Sequence, residues 1–237
     1  MPAVIVLNFV GSTYSAADPP AKLAVAARQH GFITVVPESV EASWNAGTCC
    51  GAAVARSVDD PQFLRLLVED LPDAVPVDPN RVYLVGYSNG GMLAASMICR
   101  GAPGVAGVAL VEATLLQARC DGAQPVDLLQ IHQTEDEVVP FAGTTTSKLA
   151  TDGVLPSVTD AFGRLSTALG CEPNSSAPLR TEGVTTESRA CADGTRAMLV
   201  VIEGGSHAWP DGVAVPVDAT SLIVEVFDLE TVGRPIS

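Results

Sequence analysis

The sequence predicts an α/β fold, a mostly parallel central sheet with helices on both faces. Short apolar runs of strand length, such as Val4–Val10 and Met198–Ile202, alternate with segments of helical periodicity. Strands separated by helices return parallel and need cover on both faces. Hydrophobic residues make up 47% of the 237 and charged residues 17%, which suits one large core.

Taken in order, Val4–Val10 reads as a buried strand. Ala21–His30 is helical by its Ala, Leu and Val content and stops at Gly31. Phe32–Val36 is the next strand, closed by Pro37. Asp60–Leu71 reads as a helix with Pro61 near its start and Phe63, Leu64, Leu67 and Leu71 on one face. The strand Arg81–Val85 leads into the helix Gly90–Arg100. Val105–Val111 and Leu128–His132 are strands. Val158–Leu169 is a helix that stops at Gly170, Pro173–Pro178 is a loop, Thr195–Glu203 is a strand, and Ala219–Leu229 is the closing helix. No repeat or linker divides the chain, so 1–237 is expected to form one domain.

The formal charge is −14, from 13 Lys+Arg against 27 Asp+Glu. Such a surface repels phosphate backbones and anionic lipid heads, and no apolar run has spanning length. Nucleic acid and membrane are therefore disfavoured as partners. The six cysteines are Cys49, Cys50, Cys99, Cys120, Cys171 and Cys191. An even count without Cys-x-x-Cys favours disulfides over a zinc site, with fifteen connectivities open and six free thiols as the alternative. Cys171 and Cys191 bracket a short loop-rich stretch and are the first-choice pair. Adjacent Cys49 and Cys50 are expected to bond elsewhere. Disulfides imply a secreted or extracytoplasmic protein. Met1 runs almost directly into a strand, so the expected leader has been removed or the true start lies upstream.

In parallel sheets the chemistry collects at the carboxyl ends of the strands. There the sequence places Gly86-Tyr87-Ser88-Asn89-Gly90, a G-x-S-x-G between a strand and a helix. The glycines allow a sharp turn that lifts the Ser88 hydroxyl above the sheet, and the following helix favours developing negative charge. A serine needs a base. The chain has three histidines. His30 ends an early helix, where it is expected to cap carbonyls. His132 ends a core strand ahead of the acid loop, whereas in chains with this elbow the order is Ser, acid, His. His207, in a glycine turn after the last strand, remains. The acid is sought after Leu128–His132, where Glu135, Asp136 and Glu137 are all available. Glu112, after the preceding strand, is a distant alternative.

With these segments identified, the chain resembles the polyhydroxybutyrate-depolymerase and feruloyl-esterase family of α/β-hydrolases. Gly11–Asp18 looks like its oxyanion loop, Trp44-Asn45-Ala46-Gly47-Thr48-Cys49-Cys50-Gly51 like a family signature, and Gly86–Met92 like its elbow block. His132-Gln133-Thr134-Glu135-Asp136 resembles the His-Gly-Thr-x-Asp acid loop, and Gly204–Pro210 matches Gly-Gly-x-His-x-Trp-Pro. The resemblance implies an α/β-hydrolase fold, here without the one or two strands that relatives carry before Val4–Val10. It also implies Asp136 as the acid. Two other departures are Val10 in place of the oxyanion-loop histidine and Gln133 in place of glycine.

The implied chemistry is ester hydrolysis through an acyl-enzyme by Ser88, Asp136 and His207. The N–H groups of Asn89 and Ser12 would hold the oxyanion, with no metal and no cofactor. Trp209 and Tyr87 are expected to contact substrate, while Trp44 is expected to pack against its loop. The expected substrate is a feruloyl or related ester of plant polysaccharide. Polyhydroxyalkanoate chains and acetylated xylan are the alternatives, as are a peptidase or acyltransferase on the same scaffold and an inactive binding homologue.

Overall fold

The computed structural model describes residues 1–12, 18–173 and 177–231. Most of the expected oxyanion loop, 13–17, and part of the loop Pro173–Pro178 lie outside them. The elements in chain order are β1 (Ala3–Leu7), α1 (Pro19–His30), β2 (Ile33–Val35), α2 (Gly51–Ala55), α3 (Asp60–Ala74), β3 (Val82–Tyr87), α4 (Asn89–Cys99), β4 (Gly107–Val111), β5 (Asp127–Gln133), α5 (Val158–Ala168), β6 (Leu179–Thr181), β7 (Val184–Ala190), β8 (Arg196–Ile202) and α6 (Ala219–Val226).

One eight-stranded sheet has the order β2-β1-β3-β4-β5-β8-β7-β6. From β2 to β8 the pairing is parallel, and the β6–β7 hairpin adds antiparallel on β8. The short strand β2 forms one edge of the described sheet. Every residue of β1 is buried. Ile5 and Leu7 face a core with α3, α4 and α5 residues, while Val4 and Val6 face one with α1 and α6 residues. Period-2 alternation in a doubly covered strand gives this result, and each such side chain contributes about 1.5–3 kcal/mol by burial. No described helix is long and apolar enough to cross a membrane.

Helix α3 departs from expectation in its buried face, which is Asp60, Leu64, Val68 and Leu71. Phe63 is 40% exposed, with its ring stacked near Trp44 at 6.5 Å. The stripe shifts because Asp60 turns inward to accept the Asn45 N–H at 2.6 Å. That burial raises the Asp60 pKa. The β6–β7 hairpin was not anticipated. Its residues are polar and β-branched and no more than half-buried, without apolar alternation to betray them.

The described cysteines pair as Cys49–Cys50, Cys99–Cys120 and Cys171–Cys191. The last is the pair expected. The expectation that Cys49 and Cys50 bond elsewhere is corrected, since they are joined to each other. Both are buried in the core. Cys171–Cys191 fastens the end of β7 to the end of α5 and closes a loop with a sequence separation of 20. Replacing both cysteines by serine is expected to lower stability by about 3 kcal/mol. Urea denaturation would check this, and an unchanged midpoint would contradict it.

Candidate active site

Four strand ends meet at one rim. The parallel ladder continues past the strands: the Ser88 N–H donates to Val111 O (2.9 Å), Glu112 to Ile131 O (3.0 Å) and Thr134 to Ile202 O (2.9 Å). The loops after β3, β4, β5 and β8 therefore start at one level. The chain reverses its direction of sheet growth between β1 and β3, where such sheets open a crevice.

Ser88 sits in that crevice at φ 54°, ψ −120°, outside the ordinary regions for an L-residue. The glycines around it are sterically required. A Cβ on Gly86 would lie 2.4 Å from Gly90 O, and one on Gly90 would lie 2.1 Å from Leu7 O. The Asn89 side chain clamps the backbone of Trp44, accepting its N–H at 2.8 Å and donating to its carbonyl at 3.0 Å. This fastens the Trp44–Cys50 segment to the elbow. The Asn89 N–H, at the first turn of α4, has no backbone partner among the described residues, so it is available to an anion.

The structure brings Ser88, His207 and Asp136 together. Ser88 Oγ lies 2.9 Å from His207 Nε2, and His207 Nδ1 lies 2.7 Å from Asp136 Oδ2. Asp136 Oδ1 accepts the N–H groups of Val138 and Val139, both at 2.8 Å. Burial works to raise the Asp136 pKa. The His207 hydrogen bond and charge, together with the Val139 N–H and a hydrogen bond from Glu112, outweigh it and hold the carboxyl below its usual range. An ionised acid, an oriented imidazole and a serine hydroxyl in sequence can activate the serine as a nucleophile.

The other assigned residues divide. The Ser12 N–H donates to Phe9 O at 3.3 Å, and its hydroxyl bonds Asn8 and Asp18. Its N–H is thus engaged by Phe9 and would reach an oxyanion by exchanging that bond. Trp209 and Tyr87, the expected substrate contacts, are each 7% exposed. Tyr87 belongs to the β3 face directed at α1 and α6, so it lies beneath the His207 loop. Its hydroxyl donates to His207 O at 3.0 Å, and its ring stacks on the imidazole at 5.4 Å. Trp209 meets Tyr87 edge-on at 6.0 Å and donates its Nε1–H to Thr220. Both side chains support the base. Removing the Tyr87 hydroxyl (Tyr87→Phe) is expected to lower kcat about 2–10-fold with KM unchanged, the worth of one neutral hydrogen bond. Steady-state kinetics would show it, and a rise in KM alone would return Tyr87 to the substrate side. Trp44 is 1% exposed and packs as expected.

His30 bonds Glu230 at 3.1 Å, far along the sequence from the site residues. His132 and Glu112, both fully buried, flank Asp136. Burial holds the His132 pKa down at about 4, so the ring is neutral, with Nε2–H donated to Val139 O at 2.8 Å. Glu112, His132 and Asp136 approach one another as metal ligands would. The His132 nitrogen on that side carries a proton, however, and Asp136 Oδ2 is committed to His207, so the trio does not fit a cation. Gln133, which the sequence reading noted only as a departure, donates from Nε2 to Ser206 O (2.6 Å), Ala208 O (2.8 Å) and Glu112 Oε1 (3.2 Å). A charged residue directly after an apolar strand, as in Val108–Glu112, was the available signal for this cluster. A cavity of about 630 Å³ is lined by Leu115, Gln117, Arg119 and Arg164 among others and includes no triad residue.

No protein-family model matches the chain. It is 29% identical over 227 residues to "Putative esterase NocK" of Nocardia uniformis subsp. tsuyamanensis, covering 89% of this chain and 66% of that protein. It is 27% identical over 187 residues to feruloyl esterase B of Piromyces equi, covering 72% of this chain and 32% of that one. The chain thus spans about two thirds and one third of the length of these relatives. The crystal structure of esterase PE8 superposes with a TM-score of 0.56 at 18% identity, covering 95% of this chain and 92% of that one. The elbow, the strand order and this whole-chain superposition give one conclusion: the chain has the α/β-hydrolase fold, and the proteins it resembles in sequence are named as esterases.

Proposed function

We propose that this chain is a serine carboxylic-ester hydrolase acting on feruloyl or related esters of plant polysaccharide. The observation that carries the reading is the unbroken Ser88–His207–Asp136 relay, with both bonds under 3 Å. Ser88 Oγ attacks the ester carbonyl as His207 Nε2 takes its proton. Asp136 holds the imidazole tautomer and stabilises the imidazolium. The Asn89 N–H and the α4 dipole receive the negative charge of the tetrahedral oxygen, with Ser12 as the second donor once its N–H changes partner. His207 then protonates the leaving alcohol, and water, activated by His207 in turn, releases the acid from the acyl-enzyme.

The feruloyl preference is supported by the likeness to feruloyl esterase B. Three disulfides among the described cysteines support an extracytoplasmic setting, where polysaccharide esters would be met. A panel of methyl ferulate, acetylated xylan and hydroxybutyrate oligomers tests the assignment. The highest kcat/KM is expected on methyl ferulate. A preference for either other substrate would replace the acyl group while keeping the chemistry, and a preference for matched amides over esters would defeat the esterase reading.

A further inference from the structure

A second carboxyl group lies buried against the one that serves the triad. Glu112 follows β4 at φ 47°, in the left-handed region that non-glycine residues rarely hold, and it is fully buried. Both its oxygens accept the Gln133 N–H at 3.2 Å, and Oε1 also accepts from Gln133 Nε2. The Glu112 and Asp136 carboxyls approach within 4.8 Å of each other, on either side of His132 Nε2 at 3.6 and 3.5 Å. Two carboxyls buried this close, with a neutral imidazole between them, are stable only if one keeps its proton. Asp136 is the one facing the imidazole and two backbone N–H donors, which leaves Glu112 as the neutral partner. Burial, then the hydrogen bond and charge of Asp136, push the Glu112 pKa well up, against the Gln133 donors.

We propose that Glu112 is a positioning residue of the triad: as the protonated acid it donates its O–H to Asp136, and through Gln133 it ties that carboxylate to the loop carrying His207. The proposal rests on the hydrolase reading of the triad. The Gln133 amide completes the tie by holding the Ser206 and Ala208 carbonyls on either side of His207. Gly205 leaves room for it, since a Cβ there would lie 2.0 Å from Gln133 Oε1. The titratable groups facing Glu112 are Asp136 and His132 from β5 and its loop, His207 from the loop after β8, and Tyr87 from β3. None supplies a resting cation to replace the proton. As pH rises and Glu112 ionises, Asp136 loses a donor and meets a second negative charge, and kcat falls.

The test compares wild type, Glu112→Gln and Glu112→Ala on p-nitrophenyl acetate from about pH 6 to 10, with fluorophosphonate labelling of Ser88 alongside. Glu112→Gln keeps a neutral N–H donor, so its kcat is expected within about threefold of the wild-type maximum, without the decline as pH rises. Glu112→Ala is expected to lose about thirtyfold or more in kcat at every pH, with KM within about twofold. Folded Glu112 holds a proton that the unfolded chain releases near the ordinary Glu value. Wild-type stability therefore falls as pH rises through the raised folded pKa range, and Glu112→Gln should gain in relative thermal midpoint toward high pH. Wild-type kinetics from Glu112→Ala, or equal damage in both variants, would overturn the proposal. Should either variant fail to fold, carboxyl-¹³C glutamate labelling of the wild-type protein decides. One side chain still protonated at neutral pH supports the assignment, and all side chains ionised overturn it. A wild-type protein that neither turns over esters nor labels would sink the hydrolase reading, and the carboxyl titration would still report on Glu112 by itself.

Discussion

Ser88→Ala is expected to lower kcat on p-nitrophenyl esters by about 10⁵-fold or more, with KM and the thermal midpoint close to wild type. The hydroxyl is the only part of the side chain lost, and alanine tolerates the elbow dihedrals as serine does. His207→Ala should be nearly as damaging. The double variant should be little worse than either, because a nucleophile without its base and a base without its nucleophile are equally idle. Asp136→Asn should cost about 10⁴-fold, since the amide can present an N–H where His207 Nδ1–H needs an acceptor. Steady-state kinetics beside circular dichroism would test the set. Residual turnover by Ser88→Ala within tenfold of wild type would remove this serine from the mechanism.

Gly90→Ala carries the second large effect, and it falls on the fold. The added methyl would stand 2.1 Å from Leu7 O and 2.7 Å from Asn8 O, both backbone atoms at the end of β1. No side-chain rotation relieves such a clash. Either α4 moves off the sheet or β1 shifts, and each separates strand ends that share a hydrogen-bonded level. Overpacking ordinarily costs about 1–3 kcal/mol; with backbone on both sides the expected loss is at the top of that range or beyond, with activity lost as well. Denaturant unfolding measures it. A variant as stable and as active as wild type would mean that the turn does not pack against β1 as described.

These two sites were the most legible in the sequence, for the same reason. The elbow demands glycine at fixed positions around the nucleophile, so its steric need is written directly as Gly86, Gly90 and Gly91. The base followed from elimination among three histidines, because order along the chain and position after a strand excluded two. Where side chains point was less legible. Tyr87 and Trp209 were expected at the substrate, yet Tyr87 shares a sheet face with Tyr83 and Val85, and strand parity carries it beneath His207. The buried stripe of α3 keeps Leu64 and Leu71 but takes Asp60 and Val68 in place of Phe63 and Leu67, and Asp60 has a backbone partner that no hydropathy pattern records. The β6–β7 hairpin is specified by its β-branched residues and by pairing with β8, an interaction invisible within the segment itself.

The ladder that runs on through Ser88, Glu112 and Thr134 makes the reacting heights a property of strand pairing. Nucleophile, acid and base are referenced to a common set of peptide hydrogen bonds in the most protected part of the molecule. Local opening of surface segments leaves that reference intact. Heat inactivation in such a design tracks cooperative loss of the sheet, and no separate, earlier softening of the reactive groups is built into it.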